Sequence, residues 1–262
     1  MNATAGRCGT QPPDPPAAGS TEPPISAPPM PEVPAAVAEL AERVAERAST
    51  LRARIDAVGG PDVRLVAVTK AHPPTVAWAA SLAGLSDLGE NYAQELVAKA
   101  EFLSECGAQV RWHMIGGVQT NKVRMLAPHV SWWHTVDRPK LVRELARRVP
   151  GATVLIQRNL SGEAQKGGCG EADVEPLLEA AQGAGLTVVG LMGVAAQGSS
   201  QVVAHQFASL VAQAEELGLG ERCIGMSSDL DAALAAGATT VRVGSLLFGS
   251  RPGSATATPA RA

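Results

Sequence analysis

The fold is decided by the stretch Arg64-Leu65-Val66-Ala67-Val68-Thr69-Lys70, which Ala71-His72-Pro73-Pro74 follows directly. The run of apolar side chains predicts a buried strand, and the two prolines stop it. Lys70 then places a lone amine at the end of an apolar strand. If the strand is central, the amine is partly desolvated, which lowers its pKa and makes it a nucleophile that forms Schiff bases with aldehydes. The alternative is a surface lysine that ends a strand and reaches water.

Outward from this stretch, strand and helix patterns alternate about eight times, behind one extra helix at residues 35–58. The further strands are predicted at residues 85–89, 110–115, 131–136, 153–159, 186–191, 222–226 and 240–243. Such alternation implies parallel strands joined by crossover helices. Roughly 220 residues of this pattern predict an α/β fold, a single (β/α)8 TIM barrel, whose usual length is about 250 residues. A doubly wound open sheet is the alternative, although no GxGxxG motif follows the first strand.

The composition is that of a globular protein, with 45% hydrophobic residues and a net charge of -3 over 262 residues. This near-neutral balance gives no sign of binding to nucleic acid or to an anionic membrane surface. No apolar run is long enough to cross a bilayer, and the N-terminus lacks the apolar core of a signal peptide, so we expect a cytoplasmic protein. The cysteines are scattered without a CxxC pair, which indicates neither a zinc site nor a disulfide framework.

Both ends of the chain differ in composition from the middle. Residues 1–34 are rich in proline and alanine and contain repeated Pro-Pro pairs. Such a segment cannot bury enough apolar surface to offset the entropy lost on ordering. We therefore expect a disordered tail at residues 1–34, the barrel at 35–251, and a second disordered tail at 252–262.

In a barrel of this type the active site lies at the C-terminal ends of the strands, and phosphate sites frequently use the loops after strands seven and eight. This chain has Ser227 and Ser228 after strand seven, and Gly244 and Ser245 after strand eight. Hydroxyls and backbone N–H groups at the start of a helix bind anions. The alternative is that the two serines only cap the helix that begins near Asp229.

Other polar residues near the strand ends leave two interpretations open. Arg242 lies between valines in strand eight, where its guanidinium needs an acceptor, either a pyridine nitrogen or a carboxylate. His113 lies within strand three, and we expect a hydrogen-bonded core histidine rather than a catalyst. Glu90 is either a general acid–base group or a carboxylate that favours a helix start. Lys166 either lines the mouth of the site or is solvated.

Ordered blocks of the sequence resemble the YggS/PROSC family, the pyridoxal phosphate homeostasis proteins. The blocks are VAVTK (66–70), GENYAQE (89–95), WHMIGGVQTNK (112–122), HTVD (134–137), IQRNLSGEAQKGG (156–168), GLMGV (190–194), GMSSDLDAAL (225–234) and VRVGSLLFGSR (241–251). The resemblance runs from about Val37 to Arg251 and leaves out both tails. So many blocks in the right order are far more specific than one motif.

The resemblance implies a barrel of the alanine racemase N-terminal type that holds pyridoxal 5′-phosphate (PLP) as an internal aldimine on Lys70. It places Asn91 beside the cofactor, Ser227 and Gly244 at the cofactor phosphate, and Arg242 at the pyridine nitrogen. Ser228 and Ser245 join this set through the strand-end argument above.

The chain departs from the family pattern at Gly117 and Gly193, and both departures are expected to widen the mouth of the site.

The function implied is to buffer or deliver PLP, as part of vitamin B6 homeostasis, without robust catalysis. Arg242 supports this interpretation, because a guanidinium only donates hydrogen bonds and leaves a facing pyridine nitrogen unprotonated, which weakens the cofactor as an electron sink. Few residues follow strand eight, so we expect no second domain over the site. We also expect a monomer, with PLP-dependent apo-enzymes as recipients. The alternatives are a low-activity PLP-dependent amino-acid racemase and a phosphosugar-binding barrel.

Overall fold

Eight parallel strands close into a barrel in the computed structural model, which describes residues 31–250. The strands are β1 (Arg64–Val68), β2 (Asp87–Glu90), β3 (Arg111–Met114), β4 (Val130–Val136), β5 (Thr153–Asn159), β6 (Thr187–Val194), β7 (Glu221–Cys223) and β8 (Thr240–Val243). The predicted (β/α)8 fold is confirmed, and the open-sheet alternative is wrong. The predicted tails lie outside the described residues, apart from the four residues before the first helix.

Helices connect the strands and surround the barrel. They are α1 (Ala35–Gly59), α2 (Pro74–Leu82), α3 (Ala93–Glu105), α4 (Val123–Leu126), α5 (Pro139–Arg148), α6 (Val174–Gly183), α7 (Ser200–Glu216), α8 (Leu230–Ala235) and α9 (Ser245–Phe248). The extra N-terminal helix is α1, whose buried stripe includes Val37, Val44 and Ile55. It packs on α2, α8 and α9. The helix therefore covers the outer face of the barrel where the last strand meets the first.

The barrel closes by direct pairing of its first and last strands. In this pairing Leu65 lies opposite Val241, and Ala67 lies opposite Val243. Lys70 follows the end of β1, and Gly244 follows the end of β8. Because all the strands are parallel, these two residues emerge on the same rim, which is the rim where barrel enzymes build their sites.

The interior of the barrel is partly polar. A small apolar cluster of Leu155, Met192 and Cys223 lies there, separate from the large core between the strands and the helices. His113 and His134 are fully buried beside it. Imidazoles inside a barrel must find hydrogen-bond partners there, because an unpaired polar group without water costs free energy. The hydrogen-bond partners of these two histidines connect them to the candidate site.

Strand seven is shorter than the predicted range of 222–226. Beyond β7 the backbone N–H of Met226 donates to the Asp229 carboxylate at 2.5 Å, and Gly225 has φ of 92°. A left-handed glycine and an aspartate that bonds a preceding N–H are turn features, so the regular strand ends at Cys223. This turn carries Ser227 and Ser228 to the rim.

Candidate functional site

One cavity of about 640 Å³ opens at the C-terminal ends of the strands. Its wall contains all the residues predicted for the cofactor site: Lys70, Asn91, Ser227, Ser228, Arg242, Gly244 and Ser245. They come from the ends of β1, β2, β7 and β8, and the parallel topology alone accounts for their meeting. The alternative that Lys70 is an ordinary surface lysine does not fit, since the side chain is only partly exposed and lines this cavity.

The backbone around Lys70 leaves the strand by a fixed route. The N–H of Thr69 donates to the carbonyl of Gly89, and the N–H of His72 donates to the carbonyl of Thr69. Between them Ala71 has φ of 59°, which makes it the one non-glycine residue with positive φ in the described range. A left-handed alanine costs roughly 1–2 kcal/mol, so its surroundings must hold it there.

The residues after strands seven and eight form the end of the cavity predicted to bind phosphate. The helix α8 has Asp229 at its N-cap, so the alternative that Ser227 or Ser228 caps this helix is wrong. At Gly244, a Cβ atom would lie 3.0 Å from the carbonyl oxygen of Val68. Only glycine lets β8 pass this close to β1 without a shift of the backbone.

Arg242 is buried at the base of the cavity, with 4% of its surface exposed. Its Nη1 lies 2.8 Å from both the carbonyl oxygen and the Sγ of Cys223, and its Nη2 donates to the carbonyl of Gly193 at 2.9 Å. None of these partners is a carboxylate, so the predicted alternative of a structural carboxylate pair is wrong. The carbonyls fix the plane of the guanidinium, while Nε and the second hydrogen of Nη2 have no acceptor among residues 31–250.

A hydrogen-bonded chain runs from Cys223 to the floor of the barrel. Nδ1 of His134 lies 3.3 Å from Sγ of Cys223, and Nε2 of His134 lies 2.8 Å from Nδ1 of His113. Nε2 of His113 lies 2.9 Å from the carboxylate of Asp87, which Arg111 also contacts. The prediction that His113 is a hydrogen-bonded core residue is confirmed, but the chain itself has no signature in the sequence.

The charge states of the groups in this hydrogen-bonded chain determine which way each hydrogen bond is donated. Burial lowers the pKa of both histidines and raises the pKa of the Cys223 thiol, so all three are neutral near pH 7. Burial opposes the ionisation of Asp87, but His113 and Arg111 lower its pKa below the ordinary value and keep it charged. A guanidinium only donates and a carboxylate only accepts. Each hydrogen bond in the series from Arg242 to Asp87 is therefore donated in the direction of Asp87.

Glu90 lies outside the cavity wall, and its carboxylate contacts Lys99 within the described residues. It ends β2, is fully buried, and accepts hydrogen bonds from Lys99 Nζ at 2.5 Å and Thr69 Oγ1 at 2.7 Å. Burial raises the pKa of this carboxyl, and the Lys99 ammonium opposes that rise. No sequence signal marks Lys99 as buried, because its i,i+4 spacing from Glu95 is typical of a solvent-exposed helix pair.

Asn91, which follows β2, and Gly116, which follows β3, line a further part of the cavity wall. The Oδ1 atom of Asn91 is buried and has no hydrogen-bond partner within residues 31–250. A Cβ atom on Gly116 would lie 2.1 Å from the Asn91 carbonyl oxygen, so glycine is required for this approach. An unpartnered buried acceptor at a cavity wall is an available contact for a donor on a ligand.

The two expected departures from the family pattern behave differently. Gly117 lines the cavity, and a Cβ atom there would meet nothing within 4 Å, which agrees with a wide mouth. At Gly193 the prediction is wrong. A Cβ atom there would lie 2.6 Å from Leu160 and 2.7 Å from Leu210, so it would face the surrounding helices instead of the cavity.

Lys166 lines the mouth of the cavity, as one of its two interpretations predicted. Its Nζ donates to Glu163 at 2.7 Å and to the carbonyl of Ala195 at 3.1 Å. The Lys166 carbonyl accepts from Nε2 of Gln157. These bonds tie the polar loop after β5 to the rim.

Neither a metal site nor a membrane span is found in the part of the chain that the structure describes. No three His, Cys, Asp or Glu side chains converge there to hold a metal ion. None of its helices combines the length and the apolar character needed to cross a bilayer.

Comparison with known proteins shows which class of protein shares this architecture. The family described as alanine racemase, N-terminal domain matches residues 41–252. An alanine racemase from Bacillus anthracis has the same fold, with a TM-score of 0.61 at 17% identity over 83% of this chain and 57% of its own. The barrel and its rim thus define a protein of the alanine racemase N-terminal class.

Relatives of higher identity define the family more narrowly. A pyridoxal phosphate homeostasis protein from Pseudomonas aeruginosa is 39% identical over 81% of this chain and 96% of its own length. One from Escherichia coli is 38% identical over 72% and 86%. PipY from Synechococcus elongatus, solved with PLP bound, has a TM-score of 0.70 at 33% identity over 79% and 100%. The chain belongs to the family of pyridoxal phosphate homeostasis proteins.

Proposed function

We propose that this chain binds PLP in the rim cavity, with Lys70 as its covalent attachment point, and that it stores or hands over the cofactor. One observation carries the proposal. Lys70 lines the same cavity as the serines after β7 and the glycine after β8. The Pseudomonas aeruginosa and Escherichia coli relatives, named as PLP homeostasis proteins, and the PLP-bound PipY structure support it.

The residues present fit the chemistry of PLP. The phosphate would lie against Ser227, Ser228 and Ser245, beside the close approach that Gly244 permits. The buried Oδ1 of Asn91 would accept a hydrogen bond from the ligand. The cofactor supplies an electrophilic aldehyde and an electron-withdrawing ring. Lys70 would hold the cofactor by supplying the amine for a Schiff base with that aldehyde, with loss of water.

Arg242 favours binding over catalysis. Its N–H groups can only donate, so they suit an unprotonated ring nitrogen. A ring held neutral stabilises negative charge poorly, which disfavours racemase chemistry. Measuring the turnover of L-alanine and L-serine to their enantiomers separates the two functions, and rapid turnover would overturn the binder assignment.

The proposal extends to the setting of this activity. We expect a cytoplasmic monomer that transfers PLP to PLP-dependent apo-enzymes. Light scattering at micromolar concentration tests the monomer. Transfer is tested by adding the loaded protein to a PLP-free apo-enzyme and following the gain of that enzyme's activity.

The decisive experiment is an absorbance scan followed by borohydride reduction and peptide mapping. We expect a visible band that bleaches on reduction, and a phosphopyridoxyl group on Lys70. The matched control is Lys166, the other lysine at the cavity wall, which should stay unmodified at one equivalent of PLP. A colourless protein that gains no band with added PLP would instead support a phosphosugar-binding barrel.

A further inference from the structure

A buried charge cluster lies behind the wall that carries Lys70. Lys99 on α3 is 2% exposed, and its ammonium contacts three acceptors. They are the carboxylates of Glu90 at 2.5 Å and Glu95 at 3.3 Å, and the carbonyl of Thr69 at 2.8 Å. An ammonium has three hydrogens, so this set uses all of them. None of these three charged side chains lines the cavity.

The cluster makes hydrogen bonds to the residues on both sides of Lys70. Before Lys70, the carbonyl of Thr69 accepts from Lys99 and its hydroxyl donates to Glu90. After Lys70, the N–H of Ala71 donates to Glu95 at 2.8 Å. The left-handed Ala71 is therefore anchored to the same cluster that holds Thr69. Lys70 itself is the one residue of this tripeptide that faces the cavity.

A buried cluster of charges contributes little net free energy to folding. Replacing a buried ion pair with apolar residues of similar volume is often neutral or stabilising, because desolvation offsets the attraction. Here Oε2 of Glu90 also has no hydrogen-bond partner within the described range, which adds to the cost. A cluster of this kind is better explained by the geometry it imposes than by the free energy of folding it supplies.

We propose that Lys99, Glu90 and Glu95 are positioning residues that aim Lys70 into the cavity by fixing the peptide bonds on either side of it. The inference rests on the proposed function. A nucleophile displaced by about 1 Å can lose up to a hundredfold in rate, so small backbone shifts at residues 69–71 matter. The helix α3 thereby contributes to the chemistry of the site from outside the barrel wall.

The test compares rates of adduct formation between PLP and apo-protein, followed by the visible band from pH 6 to 9. Two variants remove hydrogen bonds between the cluster and residues 69–71. Glu95→Ala removes the half-exposed carboxylate that anchors Ala71. The double variant Glu90→Gln with Lys99→Met removes the buried pair without leaving a lone charge. The matched control is Glu101→Ala, which deletes an exposed carboxylate from the same helix. Circular dichroism checks that each variant is folded.

We expect about a tenfold slower reaction in the double variant, a smaller loss in Glu95→Ala, and a shifted pH profile in both. Glu101→Ala should match the wild type. Wild-type rates and pH profiles in folded Glu95→Ala and in the double variant would overturn the proposal. If the double variant does not fold, Glu95→Ala alone decides. A wild-type protein that forms no adduct at Lys70 would instead overturn the proposed function, so the two failures are distinct.

Discussion

Nη1 of Arg242 lies 2.8 Å from Sγ of Cys223, and this contact joins the ligand cavity to the hydrogen-bonded chain inside the barrel. The sulfur accepts from the guanidinium and its hydrogen points to His134. A buried thiol thus serves as both donor and acceptor between a permanent cation and a neutral imidazole. The orientation of Arg242 depends on residues that never reach the cavity.

Removing the thiol should destabilise the barrel more than removing a thiol elsewhere. Cys223→Ala leaves buried polar groups of Arg242 and His134 short of a partner, which costs about 1–3 kcal/mol. Cys106→Ala is the control, because Cys106 is also buried but lies at the end of α3, outside the hydrogen-bonded series of Cys223, His134 and His113. Urea unfolding of both variants measures the difference. Equal losses would show that the sulfur only fills space.

The buried histidines should make stability fall as the pH drops. Burial lowers the pKa of His134, so the unfolded state takes up a proton below about pH 6.5 that the folded state refuses. Stability is therefore full above that pH and declines below it, by up to about 1.4 kcal/mol per pH unit for each such histidine.

His134→Gln should flatten this decline, whereas His205→Gln, on the exposed face of α7, should not. Urea unfolding at pH 7.5, 6.5 and 5.5 gives the slopes. His134 also faces His113, which repels a proton on His134 once it is itself protonated, and the permanent charges of Arg242 and Arg64. These charges add to the effect of burial, while Asp87 opposes it. An unchanged slope in His134→Gln would contradict the assignment of this histidine as neutral.

Lys70→Ala should abolish the covalent adduct and leave the barrel folded. The side chain projects into the cavity and the strand before it is held by backbone bonds that alanine keeps. Borohydride reduction with added PLP, followed by peptide mapping, is the measurement, with Lys166→Ala as the control that retains the adduct. A single stoichiometric adduct on another lysine of Lys70→Ala would contradict this assignment.

Arg242→Glu should harm both stability and binding. The carboxylate would face the carbonyls of Gly193 and Cys223, acceptor against acceptor, and the uncompensated buried charge should cost about 3–5 kcal/mol. Any PLP that still binds should show a shifted visible band, because an acceptor then faces the ring. Arg222→Glu in β7 is the control, since Arg222 donates to an exposed carbonyl and lies outside the cavity wall. A stable Arg242→Glu with an unchanged spectrum would remove Arg242 from the site.

Trimming the chain to residues 33–253 should leave stability and PLP binding unchanged. The reason is compositional, since the removed segments are rich in proline and small residues and carry few large apolar side chains. Thermal unfolding and a PLP titration of the trimmed and full chains provide the comparison. A large drop in melting temperature would mean that the removed segments pack on the barrel.

The sequence predicted the framework of the site because strand ends are readable. The alternation of strand and helix fixed which rim would carry Lys70 and Ser227, and all seven predicted residues line the cavity. The direction of Gly193 was also within reach, because side chains alternate along a strand and the adjacent Met192 faces inward. The same alternation directs Gly193 toward the helices.

Other features had no readable signal. The acceptors of Arg242 are backbone carbonyls, which every residue carries, so no residue type marks them. The burial of Lys99 depends on a carboxylate from the neighbouring strand and on the carbonyl of Thr69. Both belong to the packing of α3 on the barrel, which local pattern does not encode. The chain through His113 likewise exists only once β2, β3, β4 and β7 share one interior.

The pairing of the first strand with the last also has a consequence for the timing of synthesis. Lys70 and Gly244 stand on adjacent strands of the closed barrel, although most of the chain separates them. A growing chain on the ribosome presents Lys70 long before it presents Gly244 and the other residues that we propose bind the phosphate. A tight complex with PLP therefore marks a barrel whose eighth strand has already docked. A bound ligand that spans these two strands then resists their separation, so loading protects the finished fold against opening at that point.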